Sequence, residues 1–230
     1  MKKIIALVLA ALCFVTVFCS CNKNQAEDPK TTTATTEKKE EIYTEGNFNY
    51  VKLDNGTVKI VSYNKADGDA DIDIPAKLGG MNVTVIGKNA FTDAQKVTKV
   101  RLPRYLTKIE SYAFNKSSVA YVWFHQTTDD TKLVIESYAF SECDNLIQVL
   151  FSNAVNRIET SAFYLGKTPR QITFTADPAY IDNNALDTGA SYKNLRLCHR
   201  GDISNYKNLK AFADIYGIEP ILAAETEANK

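Results

Sequence analysis

A hexapeptide that returns five times constrains this chain more than any other feature. Its copies are Ile86-Gly-Lys-Asn-Ala-Phe91, Ile109-Glu-Ser-Tyr-Ala-Phe114, Ile135-Glu-Ser-Tyr-Ala-Phe140, Ile158-Glu-Thr-Ser-Ala-Phe163 and Ile181-Asp-Asn-Asn-Ala-Leu186. Successive isoleucines are 23, 26, 23 and 23 residues apart, a period that belongs to stacked supersecondary units and not to a single closed globule. One such unit cannot bury its apolar side alone, so the copies must stack and share a continuous core.

Within each copy the spacing can be followed residue by residue. Counting from the residue that closes the hexapeptide, apolar pairs fall at the ninth and eleventh positions: Val100 and Leu102, Val149 and Phe151, Ile172 and Phe174, Leu195 and Leu197. The second copy runs one residue short, with Val122 and Phe124, and then carries a longer connection, Gln126 to Lys132. Alternation of period two predicts short strands with these pairs turned inward. In the hexapeptide, the isoleucine is a core position. Ser111, Ser137, Thr160 and Asn183 are residue types that cap exposed amides at a helix start, so a brief helical turn is expected there. The alanine permits close approach of neighbouring coils, and Phe91, Phe114, Phe140 and Phe163 should stack as an internal column. Three residues further on lie Ala94, Ser117, Cys143, Gly166 and Gly189. All are small, which marks a tight interior site and makes Cys143 a buried packing residue, not a nucleophile or ligand.

The flanks read differently. Lys2 and Lys3 precede an apolar run, Ile4 to Phe18, that is shorter than the roughly 20 residues a membrane-spanning helix needs, so residues 1–20 read as a cleaved export signal. A small residue directly before Cys21 resembles the bacterial lipoprotein processing box, which implies lipidation of Cys21; the alternative is an ordinary signal cut near Ser20. Residues 21–42 contain Thr31-Thr-Thr-Ala-Thr-Thr36 and a run of charges. This stretch has too little apolar surface to offset ordering and is read as a flexible tether. Tyr50 to Leu53 and Val58 to Val61 flank Asp54-Asn55-Gly56, a hairpin signal, so residues 43–84 should form an N-terminal β cap and a half repeat. Five repeats follow over 85–202. Tyr206, Leu209, Ala213 and Tyr216 fall at helical spacing between Ser204 and Gly217, which predicts a capping helix over 203–222. Residues 223–230 should be a disordered tail.

The pattern Ile-x-x-x-Ala-Phe, a small residue, then Val100-Arg-Leu-Pro103 and Leu106-Thr-Lys-Ile109, resembles the BspA-type bacterial leucine-rich repeat. The resemblance covers roughly Ile72 to Asp202. With the caps and brief helical turns read above, the expected fold is an α/β repeat solenoid of leucine-rich-repeat type, with short stacked strands, a β-hairpin cap and a helical cap. The resemblance also implies a role as a surface antigen or adhesin. The cysteine of the pattern survives only at Cys143, and the proline after the strand only at Pro75 and Pro103.

Reaction machinery is not evident. No nucleophile elbow, phosphate loop, dinucleotide fingerprint or paired-histidine metal motif occurs, and His125 and His199 fall on strand ends three coils apart. No cofactor, metal or enzymatic activity is implied. Lys and Arg together number 27, as do Asp and Glu, so there is no basic excess of the kind nucleic acid selects. Two displayed columns stand out. One is Asp73, Arg101, Trp123, Leu150, Thr173 and Arg196, with Lys99, Tyr121, Gln148, Gln171 and Asn194 beside it. Within it Tyr121, Trp123 and Leu150 should form an apolar patch rimmed by Arg101, His125 and Gln148, suited to a protein or glycan contact, unless the connection from Gln126 to Lys132 covers Trp123. The other is acidic, Glu110, Glu136, Glu159 and Asp182, with the geometry of a cation site or of solvated surface charge. The reading that results is an exported, lipid-anchored, monomeric binding module at the cell surface. Its alternative is a structural or accessory subunit of a cell-envelope complex.

Overall fold

The computed structural model describes residues 40–64, 70–124, 132–151, 155–164, 170–175, 178–182, 184–186, 195–199 and 214–217. The expected signal, most of the expected tether and the expected tail therefore lie outside the described residues, as do His125 and the connection as far as residue 131.

β1 (Tyr43–Glu45), β2 (Phe48–Lys52) and β3 (Val58–Tyr63) form an antiparallel N-terminal cap. β4 (Asp71–Asp73), β5 (Lys77–Leu78) and β6 (Met81–Ile86) follow, with β5 folded back on β6 through Gly79 and Gly80. Each later coil gives one strand to each of two sheets. These are β7 (Lys99–Leu102) and β8 (Lys108–Ile109), then β9 (Tyr121–Phe124) and β10 (Leu133–Ile135). Next come β11 (Gln148–Phe151) and β12 (Val155–Ile158), then β13 (Arg170–Phe174) and β14 (Tyr180–Ile181). β15 (Leu195–His199) and β16 (Asp214–Gly217) complete the described strands.

The isoleucine sheet runs β1-β2-β3-β6-β8-β10-β12-β14, and the tryptophan sheet runs β16-β15-β13-β11-β9-β7-β4. Beyond the cap, strands of successive coils pair in parallel. The expected inward pairs are in register, Val100 with Val122, Val122 with Val149 and Val149 with Ile172, and all are buried. The isoleucine sheet was not expected as a sheet. Its strands are only two to six residues long, and a single apolar residue such as Ile109 carries little alternation.

The expected hairpin is present, but its turn has another geometry. Only Gly56 has positive φ, its N–H donates to Leu53 O at 3.0 Å, and Leu53 N–H donates to Thr57 O at 2.8 Å. That is a four-residue turn ending in a left-handed glycine, as in a bulged hairpin. The cap also sets the one exception to the acidic second position of the hexapeptide. A side chain on Gly87 would place Cβ 2.6 Å from Ile60 O.

The brief helical turns are not formed, and no helix occurs among the described residues. In their place the first four hexapeptides each make a turn whose third residue is left-handed: Asn89, Tyr112, Tyr138 and Ser161 have φ of 60°, 61°, 61° and 55°. Type II turns require positive φ at this position. The turn closes with an N–H to O bond from Ala113 to Glu110 and from Ala139 to Glu136, both 3.2 Å. The next amide goes to the neighbouring coil, Phe114 N–H to Ala139 O and Phe140 N–H to Ala162 O, both 2.8 Å. A helix would have kept those amides within its own turn. Ser111 accordingly does not cap a helix, and its hydroxyl donates to Glu136 Oε2 at 3.1 Å.

Between the sheets runs the expected phenylalanine column. Centroid separations are 4.8 Å for Phe91 and Phe114, 4.9 Å for Phe114 and Phe140 and 5.0 Å for Phe140 and Phe163, with the last two pairs within 2° of parallel. The cap extends it through Tyr63, 5.3 Å from Phe91, and Phe48, 5.4 Å from Tyr63. Phe124, Phe151 and Phe174 form a second column behind the tryptophan sheet. Ala94, Ser117 and Cys143 are buried, and Cys143 Sγ lies 3.0 Å from Phe114 O, which it can reach as a weak donor across one coil.

Two C-terminal expectations require correction. Asp214–Gly217 is not the end of a helix but β16, which adds in parallel to β15, with Leu197 opposite Ile215. Main-chain pairing with an open sheet edge outweighs the helical spacing there; the rest of 203–222 lies outside the described residues. The last coil is also displaced by two positions, since Ile172 pairs with Leu197 and not Leu195. A shift of two keeps every side chain on its face, yet it sets Arg196 opposite Gln171 and Cys198 opposite Thr173.

Candidate functional site

The outer side of the tryptophan sheet brings the expected residues together. Arg101 pairs with Trp123 and Trp123 with Leu150, while Tyr121 pairs with Lys99 on one side and Gln148 on the other. Tyr121 and Trp123, two apart on β9, lie on one face because strand side chains alternate. Their rings stack at 5.7 Å with 16° between planes, and the Arg101 guanidinium sits 5.6 Å from the centre of the Trp123 ring. Arg101 is exposed, whereas Tyr121, Trp123, Gln148 and Leu150 are partly exposed. Lys99 makes an ion pair with Asp71 at 3.1 Å, which steadies one margin of the strip. His125 lies outside the described residues.

The strip ends abruptly. Thr173 and Cys198 continue the outward column but are only 1% and 0% exposed. Along this column Trp123 and Leu150 are partly exposed, and the residue on the next strand is buried.

The acidic column belongs to the scaffold. Glu136 Oε2 accepts from Ser111 N–H at 2.9 Å, and Glu136 Oε1 pairs with Lys108 at 2.9 Å. Glu110 accepts from Lys88 N–H at 2.8 Å. Glu159 lies 3.4 Å from the Ser137 hydroxyl and 3.5 Å from Arg157 Nε. Asp182 accepts from Asn184 N–H at 2.8 Å. Glu110 and Glu136 each satisfy an amide in the preceding coil's turn, the kind of group that is costly to leave unpaired, and Asp182 does the same for an amide in its own turn. Among the described residues no group of three metal-ligating side chains occurs.

Partial burial opposes ionisation of Glu136, but the bonds from Lys108 and Ser111 outweigh it and hold the carboxyl below its ordinary value of 4.5. The same contact with Glu136 raises Lys108 above 10.5. A carboxyl depressed by folding stabilises the fold above its unfolded pKa and ceases to do so as pH falls through the folded value. Stability should therefore decline below about pH 4.5, and Glu136→Gln should flatten that limb in urea titrations. The Lys108 contribution runs the other way and is lost above pH 10.5.

Spacing did not single out Tyr112 and Tyr138, although both occupy the fourth hexapeptide position. Their rings stack at 5.2 Å with 5° between planes.

Two parallel sheets wound from a repeat of about 23 residues, over aromatic columns, define a leucine-rich-repeat β-solenoid of about five turns. A family model described as the BspA type leucine rich repeat region matches residues 71–197 in six copies, more than half of the chain, and the chain belongs to that family. Among solved structures, a leucine-rich repeat protein from Bacteroides capillosus is similar at 21% identity, over 70% of this chain and 99% of that one, with a TM-score of 0.39. A leucine rich cell surface protein from Faecalibacterium prausnitzii matches at 21% identity over 69% of this chain and 54% of its own, with a TM-score of 0.42. A leucine-rich repeat protein from Bacteroides ovatus matches at 16% identity over 76% and 55%, with a TM-score of 0.44. No curated protein matches the chain. BspA-type proteins are typically bacterial cell-surface proteins, and leucine-rich repeats generally mediate protein binding and are typically non-catalytic. Among the described residues no helix is long and apolar enough to cross a membrane.

Proposed function

We propose that the chain is an exported, lipid-anchored recognition module whose tryptophan sheet contacts a protein or glycan at the cell surface. The observation that carries this reading is the partly exposed strip itself. The chain's only tryptophan sits partly exposed on an outer strand face, stacked on Tyr121, beside Leu150 and under an exposed arginine. Aromatic residues and arginine are the types that dominate contact energetics at interfaces, and the rigid sheet beneath them lowers the entropy lost on docking. Cys21 supplies the anchor in this reading, and residues 22–42 the reach of the module from the membrane.

Protein and glycan arrays probed with wild type and Trp123→Ala test the contact. Because Trp123 lies outside the core, the variant should fold, and its signal should fall at least about tenfold, the loss of a single hot-spot side chain. Equal binding by the two proteins would remove the strip as the contact site. For the anchor, mass spectrometry of the mature protein should find a lipid-modified N-terminus at Cys21, and an unmodified start elsewhere would refute it.

A further inference from the structure

The turn side of the solenoid carries a pair of tyrosines that the strand face does not use. Tyr112 and Tyr138 hold the same hexapeptide position in consecutive coils, and both have φ of 61°. A bulky residue is sterically disfavoured in that conformation, and strain of this kind persists where the surrounding structure fixes it. Here the main chain is fixed on both coils. Tyr112 O accepts from Asn115 N–H at 3.1 Å and from the Thr92 hydroxyl at 3.0 Å, and Tyr138 O accepts from Ser141 N–H at 3.1 Å. Phe114 N–H joins the two coils through Ala139 O at 2.8 Å. The phenol rings stand 5.2 Å apart and 5° from parallel. That separation is close to the coil step read from the phenylalanine column, 4.8, 4.9 and 5.0 Å. One ring is therefore close to the other carried forward by one coil, and like positions on the two phenols face each other.

Two phenols held this way have a defined chemistry. A tyrosine that loses one electron and its phenolic proton becomes a neutral radical, with the unpaired electron spread over the oxygen and the ring carbons ortho to it. Two such radicals couple through ortho carbons, and holding the partners side by side turns that encounter into an intramolecular step. An oxidant can reach the pair, since Tyr138 is 37% exposed and Tyr112 is partly exposed. Both rings also stand outside the buried core, so their edges can swing together without moving a core side chain. Among the described residues the other stacked pairs of oxidisable rings each lack a requirement. In the cap, Tyr43 stacks on Tyr50 at 5.6 Å and 25°, but Tyr50 is only 5% exposed. Tyr121 stacks on Trp123 and not on a second phenol.

We infer that Tyr112 and Tyr138 are a site of oxidative cross-linking, joined as dityrosine by a haem peroxidase acting with hydrogen peroxide. Each phenol gives up one electron and its O–H proton, the two radicals form a carbon–carbon bond between ortho positions, and the hydrogens displaced from those carbons return to the oxygens as protons. The pair loses two hydrogen atoms in all, which reduce one peroxide to two waters. The product is a covalent staple between the coils of the second and third hexapeptides, on the surface and outside the phenylalanine columns. The site is independent of the Trp123 strip.

The test treats the full folded chain with haem peroxidase and hydrogen peroxide, at a protein concentration low enough to suppress coupling between molecules, and isolates the monomer by gel filtration. Peptide mapping by mass spectrometry should find the peptide of Tyr112 joined to that of Tyr138, lighter than their sum by two hydrogen atoms. The dityrosine fluorescence of the monomer should be lost in Tyr112→Phe and in Tyr138→Phe, which keep the stacked ring and so the fold, and should be retained in Tyr121→Phe. Wild type oxidised in concentrated urea should lose the 112–138 product, because the coils no longer hold the rings together. The inference is overturned if the oxidised monomer carries no 112–138 cross-link, whether dityrosine is absent, joins other tyrosines or appears only in dimers. It is overturned equally if the unfolded chain yields as much of that product as the folded one.

Discussion

Phe140→Ala is expected to lower the unfolding free energy by about 3–5 kcal/mol, the range for deleting a buried phenylalanine from a core that cannot collapse around the gap. Phe140 is fully buried and lies parallel to Phe114 on one side and Phe163 on the other. Neither neighbour can move in, because the main-chain bonds from Phe114 to Ala139 and from Phe140 to Ala162 fix the coil spacing. The position also decides how the loss is expressed. In a stack where each coil contacts only its neighbours, stability is a sum of coil and interface contributions, and this substitution weakens two adjacent interfaces in the middle. Urea unfolding followed by Trp123 fluorescence should separate from unfolding followed by far-UV circular dichroism, whereas wild type should give coincident curves. An unshifted midpoint would show that the column is not what holds the coils together.

Ala139→Leu tests the same spacing from the opposite direction. Ala139 is fully buried, its carbonyl accepts Phe114 N–H at 2.8 Å, and its own N–H closes the turn on Glu136 O at 3.2 Å. Three added carbons have no room between coils whose backbones are directly bonded. The expected cost is about 1–3 kcal/mol from overpacking, and more if the inter-coil bond opens. Amide exchange distinguishes the two cases, since an opened bond exposes the Phe114 amide specifically. Because residues 139 and 140 share one interface, the double variant should not show additive losses. Wild-type stability in Ala139→Leu would contradict the role given to the alanine.

Much of the architecture was legible in the residues, and the parts that were not share physical causes. The repeat, the inward strand pairs, the hairpin cap and the phenylalanine column all rest on apolar side chains at fixed spacing, which is the information that burial writes most plainly into a sequence. The turns were misread because Ser111 and Ser137 are as suitable for a helix cap as for bonding the next coil's glutamate. What separates the two is the backbone, left-handed at Tyr112 and Tyr138, and no residue-type rule expects tyrosine there. The isoleucine sheet escaped notice because its strands are short and are defined by main-chain pairing between coils. Asp214–Gly217 became a strand for the same reason, since a long-range partner overrode local preference. In the candidate site, alternation placed Arg101, Tyr121, Trp123, Gln148 and Leu150 on one face, as β9 and β11 do. Where that face ends was not legible, because Thr173 and Cys198 continue the same alternation and only their burial marks the change.

If the strand face around Trp123 is the contact surface, as proposed, a single fluorophore reports on it. Acrylamide quenching of Trp123 should be efficient in the free protein and strongly reduced when the partner returned by the arrays is bound at saturation. Quenching that is unchanged by a saturating partner would place the contact elsewhere on the solenoid and rule out the Trp123 face.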